Sequence, residues 1–364
     1  MKLNETEWQY SLIKTYKSLD ELLCISDCSR TVNCKLISFN KFNYICKYYR
    51  YYLTDETTLI KSNGDFVFSY QTGKYTYKLQ GKKHLSLSAG CKINSLILID
   101  NLNLAFGCTN GTIQIWSTGS WSPILSIAHN YNSSVVSLAN LGNEYLISGG
   151  FDRLIKIWSL RTGQLVKTLS QHKDQVKTLL ILSNNNDIVS GSYDQTIKIW
   201  NSNDGTMKYS LNTLSSVLGL VQLKNGNIVS ITYNGFIRIL NPYTGNFILS
   251  IDTSPGQTSM YQLNNDDLAI GLAHSGGLKI YDSTTVQLKY TLLGHTEDIN
   301  EIIQLQNNDL ATCSYDDTVR IWDLNTKSLK YNLTLHTFDL WGLAELPNGY
   351  IISGGKDSKI IVTK

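Results

Sequence analysis

Proline is scarce, with four residues in 364, and no apolar run reaches eighteen residues. The second absence excludes a membrane-spanning helix. The opening MKLNETEWQY lacks the basic-then-apolar order of a secretory leader, so none is expected there. Charge of one sign is also lacking: 32 Lys and Arg stand against 29 Asp and Glu, a formal net charge of +3. Such a chain has no strong field to draw in nucleic acid or an anionic membrane, and neither is expected as a partner. What is abundant is Tyr, Ile, Thr and Ser, broken at regular intervals by Asn and Gly. That composition suits short strands joined by tight turns better than helices. The length fits one large repeat fold or two ordinary domains.

Comparison of the chain with itself decides between them. GTIQIW ends at Trp116, LIKIW at Trp158 and TIKIW at Trp200, each 42 residues from the last, and the series continues through FIRIL to Leu240, GLKIY to Tyr281, TVRIW to Trp322 and SKIIV to Val362. Seven copies therefore run from about residue 80 to the end. Within one copy, residues 176–182, 187–192 and 196–200 are strand-length apolar or alternating runs, parted by the turns SNNND and SYDQ, and 207–211 follow an NDG turn. Each copy reads as a four-stranded antiparallel unit too thin to bury its own faces, so the units stack around an axis.

These residues resemble the WD-repeat family: Gly294 with His295, IWDL at 321–324, and GSYDQTIKIW at 191–200. The resemblance implies an all-β, seven-bladed propeller over residues 75–364. In the family the first strand of each repeat belongs to the preceding blade, so the last blade borrows a strand from the N-terminal side; YTYKL, 75–79, is expected to supply it and leave no open edge.

The resemblance also implies a repeated hydrogen-bonded network: His129, Ser148, Asp152 and Trp158; His172, Ser190, Asp194 and Trp200; His295, Thr312, Asp316 and Trp322. Ser, His and Asp together also imitate an acyl-transfer triad. Repetition favours structure, because catalysis needs one such set whereas every blade needs its loops positioned. Asn234 and Leu240 replace the Asp and Trp in blade four, Ser275 and Tyr281 in blade five. Blade seven keeps His336, Ser353 and Asp357 but ends in Val362, and blade one has Asn110, with His84 farther away. These four blades are expected to rely on packing alone.

Residues 1–74 do not fit the repeat cleanly. Four of the seven cysteines, Cys24, Cys28, Cys34 and Cys46, lie there as C-x3-C-x5-C-x11-C. The segment from Ser18 to Leu53 resembles the core of a PAN or apple domain, an α+β module: a short helix carrying the first two cysteines, then CKLISFN and ICKYYRYY as paired strands. The resemblance implies bridges Cys24–Cys46 and Cys28–Cys34, each worth about 2–4 kcal/mol to so small a core. A zinc site of the four thiolates and free thiols are the alternatives, and the C-x2-C knuckles usual for zinc are missing. Residues 57–73 read alternatively as part of an eighth, divergent blade. Cys91, Cys108 and Cys313 lie in strand-like runs and read as small core residues. Bridges would place the chain outside the cell and their absence in the cytoplasm, so the compartment stays open; sequons at Asn4, Asn110, Asn132 and Asn332 arise readily in a chain rich in Asn, Ser and Thr.

The functional expectation is a non-catalytic protein-protein interaction scaffold, with no cofactor and no metal. An extracellular carbohydrate or surface-recognition protein is the alternative, the PAN/apple-like module binding glycan. Single carboxylates such as Glu301 on inner strands make no catalytic set. The expected partner-binding residues are Phe151, Tyr193, Tyr233, His274 and Tyr315, one before each turn Asp or its substitute in five consecutive blades, with Lys177 and Trp341 placed nearby by the family's register. Large rings offer contact area at small entropic cost.

Overall fold

The computed structural model describes residues 84–364, apart from Asn143 and Pro255, together with the backbone of six strands before them. The chain divides into two compact units, Met1–Leu85 with Ser117–Ser122, and the remainder. In the first unit Leu12–Lys17, Ile45–Arg50 and Cys34–Asn40 form an antiparallel sheet with Ile45–Arg50 central. Thr58–Lys61, Phe66–Gln71 and Lys74–Leu79 form a second, a meander. The expected pairing of CKLISFN with ICKYYRYY corresponds to two of these strands. The helix, the four side chains Cys24, Cys28, Cys34 and Cys46, and with them the PAN/apple reading, lie outside what is described.

The second unit is an all-β ring of seven four-stranded antiparallel sheets, with no helix among the described residues. Blade three is representative: Val176–Ile181, Ile188–Ser192, Thr196–Trp200 and Met207–Asn212 pair in chain order. First strands of successive blades adjoin, and that of blade seven adjoins that of blade one, which closes the circle. Blade seven holds Leu340–Glu345, Ile351–Gly355 and Lys359–Thr363 and takes its fourth strand from His84–Ser88. This corrects the expectation for 75–79, since Lys74–Leu79 pairs with Phe66–Gln71 instead. The nearer segment HLSLS has the required period of two: Leu85 is buried between exposed His84 and Ser86. The Ala89 amide then donates to the Ser358 carbonyl at 2.8 Å.

Burial explains the order of the strands. In blades three to seven the second strand is buried at every position, while the outermost strands show half-exposed patterns. Apolar side chains interlock between blades: Val189, Ile197 and Ile199 of blade three pack with Val217, Leu220 and Ile228 of blade four. A glycine in the second strand makes room for this. A Cβ on Gly149 would stand 2.8 Å from Val176, and one on Gly191 2.5 Å from Val217, the residues that begin the next blade's first strand. Polar clasps add direction: the Ser183 amide donates to Gln222 Oε1 at 2.8 Å, and the Asn264 amide to Gln304 Oε1 at 2.7 Å.

Candidate functional site

Two groups of side chains were singled out by the repeat, and the fold puts them in different environments. The first is buried. In blade three the Trp200 indole N–H donates to Ser190 Oγ at 2.9 Å, Ser190 Oγ lies 2.7 Å from one nitrogen of His172, and the other nitrogen lies 2.7 Å from Asp194. Blade six repeats it with Trp322, Thr312, His295 and Asp316, and blade two with Trp158, Ser148, His129 and Asp152. All the imidazoles are buried, with no open approach to the Ser or Thr hydroxyl. The arrangement lacks the accessible nucleophile that acyl transfer needs.

The carboxylates show what the networks do. Burial alone would raise Asp194, yet hydrogen bonds from His172, Thr196 and the Lys173 amide hold it well below the usual carboxylate range. Asp316 is held low in the same way by His295, Thr318 and the Thr296 amide. Each Asp thus ties the loop before its blade to the turn between the second and third strands.

Two expectations about the divergent blades need correction. Blade seven does not rely on packing alone: His336 contacts Ser353 at 2.8 Å and Asp357 at 2.9 Å, although Val362 replaces the Trp. Blade one has no histidine in this place, because His84 sits exposed on the closing strand of blade seven. There Phe106 occupies the position of the serine and meets Trp116 edge-on, with centroids 5.6 Å apart. Cys91 and Cys108, expected as separate core residues, are joined by a disulfide, while Cys313 is buried and free.

The second group lies on the face carrying the turns between second and third strands. Phe151, Tyr193 and Tyr233 are exposed there, and the His274 side chain is 80% exposed. Tyr315 differs: it meets Trp341 edge-on with centroids 5.2 Å apart, and burial, with Asp298 and Asp339 nearby, pushes its hydroxyl pKa up. Lys177 brings its ammonium to 4.8 Å from the Trp341 ring centroid. Reasoning from the sequence missed Lys356. It occupies in blade seven the turn position that rings fill in blades two to six, just before Asp357, and the turn register alone marks it. Its ammonium stands 4.9 Å from Trp341 and 5.5 Å from Tyr315 and pairs with Asp339 at 2.7 Å. Below them burial pushes the Glu301 carboxyl up to about 7, against the pull of Lys177. Burial lowers Lys177 in turn, with Glu301 opposing and Lys356 adding to the shift. The fold therefore gathers Lys177, Tyr315 and Trp341, and sets Phe151, Tyr193, Tyr233 and His274 at the corresponding turns of blades two to five. No group of three or more His, Cys, Asp or Glu disposed to hold a metal is found among the described residues.

Comparison with known proteins agrees with this geometry. Residues 119–159, 163–201 and 286–323 match the WD domain, G-beta repeat family, and these are the blades with complete networks. The crystal structure of the WD40 beta propeller domain of Doa1 superposes with a TM-score of 0.69 at 22% sequence identity, covering 77% of this chain and 95% of that one. No curated protein sequence matches the chain. Three blades thus match the WD domain, G-beta repeat family, and the chain has the fold of a WD40 β-propeller.

Proposed function

We propose that this protein is a non-catalytic scaffold that binds a protein partner on the face carrying the turns between second and third strands. One observation carries the reading: at the channel mouth Tyr315, Trp341, Lys177 and Lys356 form a joined aromatic and cationic cluster, and exposed rings stand at the turns of neighbouring blades. Trp341 has no counterpart in the other blades, where its place is taken by Asn94, Val136, Lys177, Leu218, Thr258 and Asn300. A residue that packing required in every blade would recur; this one does not. Rings of this kind dominate binding energy at interfaces while the contacts around them exclude water. The buried His, Ser and Asp sets belong to the frame that fixes the turns, and they supply no reaction.

The test is partner capture by the immobilised full chain, read by mass spectrometry beside its melting curve. Phe151→Ala, Tyr193→Ala and Tyr233→Ala combined remove exposed rings, and Trp341→Ala is made separately. Loss of the captured proteins in both variants with an unchanged melting curve supports the reading. Capture that survives both in folded protein refutes it.

A further inference from the structure

The first strands of blades three, six and seven, Val176–Ile181, Ile299–Gln304 and Leu340–Glu345, line the central channel; Lys177 and Trp341 hold equivalent places on theirs, and Glu301 stands one residue further along its own. Lys177 spans the mouth from blade three to the ring of Trp341 on blade seven, and Lys356 reaches the same ring from the rim. Donors here outnumber acceptors. The Trp341 indole N–H is buried without a partner, and no hydrogen bond or ion pair holds the Lys177 ammonium among the described residues. Glu301 is the countercharge that Lys177 feels, and burial pushes its carboxyl up to about 7 against the pull of that ammonium. Two other acids of this sector are engaged, Asp339 by Lys356 at 2.7 Å and Asp298 by the His274 amide at 2.6 Å, while Asp317 faces the like charges of Asp339, Asp316 and Asp357.

The indole N–H, buried without an oxygen acceptor, costs free energy while it lacks one, and the Lys177 ammonium beside it has no hydrogen-bonded oxygen among the described residues either. A cation has no such vacancy to fill, because two ammonium groups already address the Trp341 ring. We propose that the channel mouth binds the carboxylate of an aspartate or glutamate side chain presented by the protein partner, between Lys177 and Lys356 and against the Trp341 N–H. The assignment rests on the partner-face reading above and gives that partner its chemistry. Two positive groups and an N–H donor make charge-assisted bonds of the stronger kind, while the neighbouring rings hold the residues flanking the acid.

The experiment uses the full chain labelled with ¹⁵N-tryptophan. The Trp341 indole signal is identified as the one lost in Trp341→Phe. N-acetyl-glutamate methylamide is titrated in, followed by the glutamine, lysine and phosphoserine analogues. The expected result is a saturable shift of that signal with the glutamate probe, at an apparent Kd at least about tenfold below those of the other three. In the folded double variant Lys177→Met with Lys356→Met this preference should disappear. Equal response to glutamine or lysine, tighter response to phosphoserine, or an undiminished preference in the double variant would overturn the carboxylate assignment. That failure is separable from failure of the face itself: if ring variants still abolish partner capture, the face stands without the carboxylate, whereas capture indifferent to the rings removes the face.

Discussion

Each buried imidazole is held from both sides: one nitrogen faces a hydroxyl whose oxygen receives the Trp N–H, and the other faces the carboxylate. Burial lowers the pKa of His295 and His336 below the ordinary 6.5, although their Asp partners pull the other way. For such a histidine the unfolded chain takes up protons first, so the stability it lends is full above about 6.5 and declines as pH falls toward the folded value. Asp194 and Asp316, held low when folded, lend stability that is full above about 4 and is lost as pH falls through their folded values. Acidification from pH 7.5 should therefore lower the melting temperature in two stages, and His295→Gln with His336→Gln should flatten only the first. Scanning calorimetry across that range is the check. A second expectation concerns the shared hydroxyl. Ser190→Ala strands both the Trp200 N–H and a His172 nitrogen, whereas Ser353→Ala strands only His336. The first should cost about 1–3 kcal/mol and the second less, read from denaturant midpoints. These residues were legible in the sequence because the pattern repeats. The channel-mouth cluster was legible only in part: Lys177 and Trp341 are 164 positions apart, and Lys356 was not legible because the turn pattern shows as rings in blades two to six while blade seven carries a cation there.

At the scale of the blade, blade one shows how one element replaces another's chemistry. In blades three and six the last residue of the second strand, Ser192 or Ser314, donates to the backbone carbonyl two residues before the first strand, that of Asp174 or Glu297, at 3.0 and 3.2 Å. Cys108 and Cys91 occupy those places in blade one, so a covalent bond stands where a hydrogen bond stands elsewhere. The blade also lacks the histidine network, and its Trp116 N–H is buried with no partner among the described residues. A bridge closing so short a loop contributes about 3 kcal/mol in the chain-entropy account. Cys108→Ser, or reduction of the native protein, should lower the melting temperature, and reduction should leave the Ser variant unchanged; parallel thermal scans with and without reductant decide it. The sequence did not disclose this bridge, since alternation in a strand marks Cys108 as buried whether or not its partner is another sulfur. Strand number, order and period were legible, because each blade restates them.

For the whole molecule, the ring depends on its seam. The His84–Ser88 strand turns the exposed edge of Lys359–Thr363 into an interior pair, and an open edge there would invite association with other chains. Leu85→Asp places a charge at a buried position of that strand and should lower the melting temperature and promote oligomers, seen by light scattering, whereas Ser86→Asp at an exposed neighbour should do neither. The seam was misplaced in the sequence reading because YTYKL and HLSLS both alternate, and the choice between them is made by distance along the chain to the ring. A closed ring has two faces built from the same repeat. One carries the turns between second and third strands, the other those between first and second, such as Lys224, Asn225 and Gly226. Photocrosslinking discriminates between them most directly, with p-benzoylphenylalanine placed at Tyr193 on one face and at Asn225 on the other in the folded full chain. Covalent adducts with partner proteins at position 193 and none at 225 are the expected result; adducts at 225 with none at 193 would contradict the assignment of the binding face.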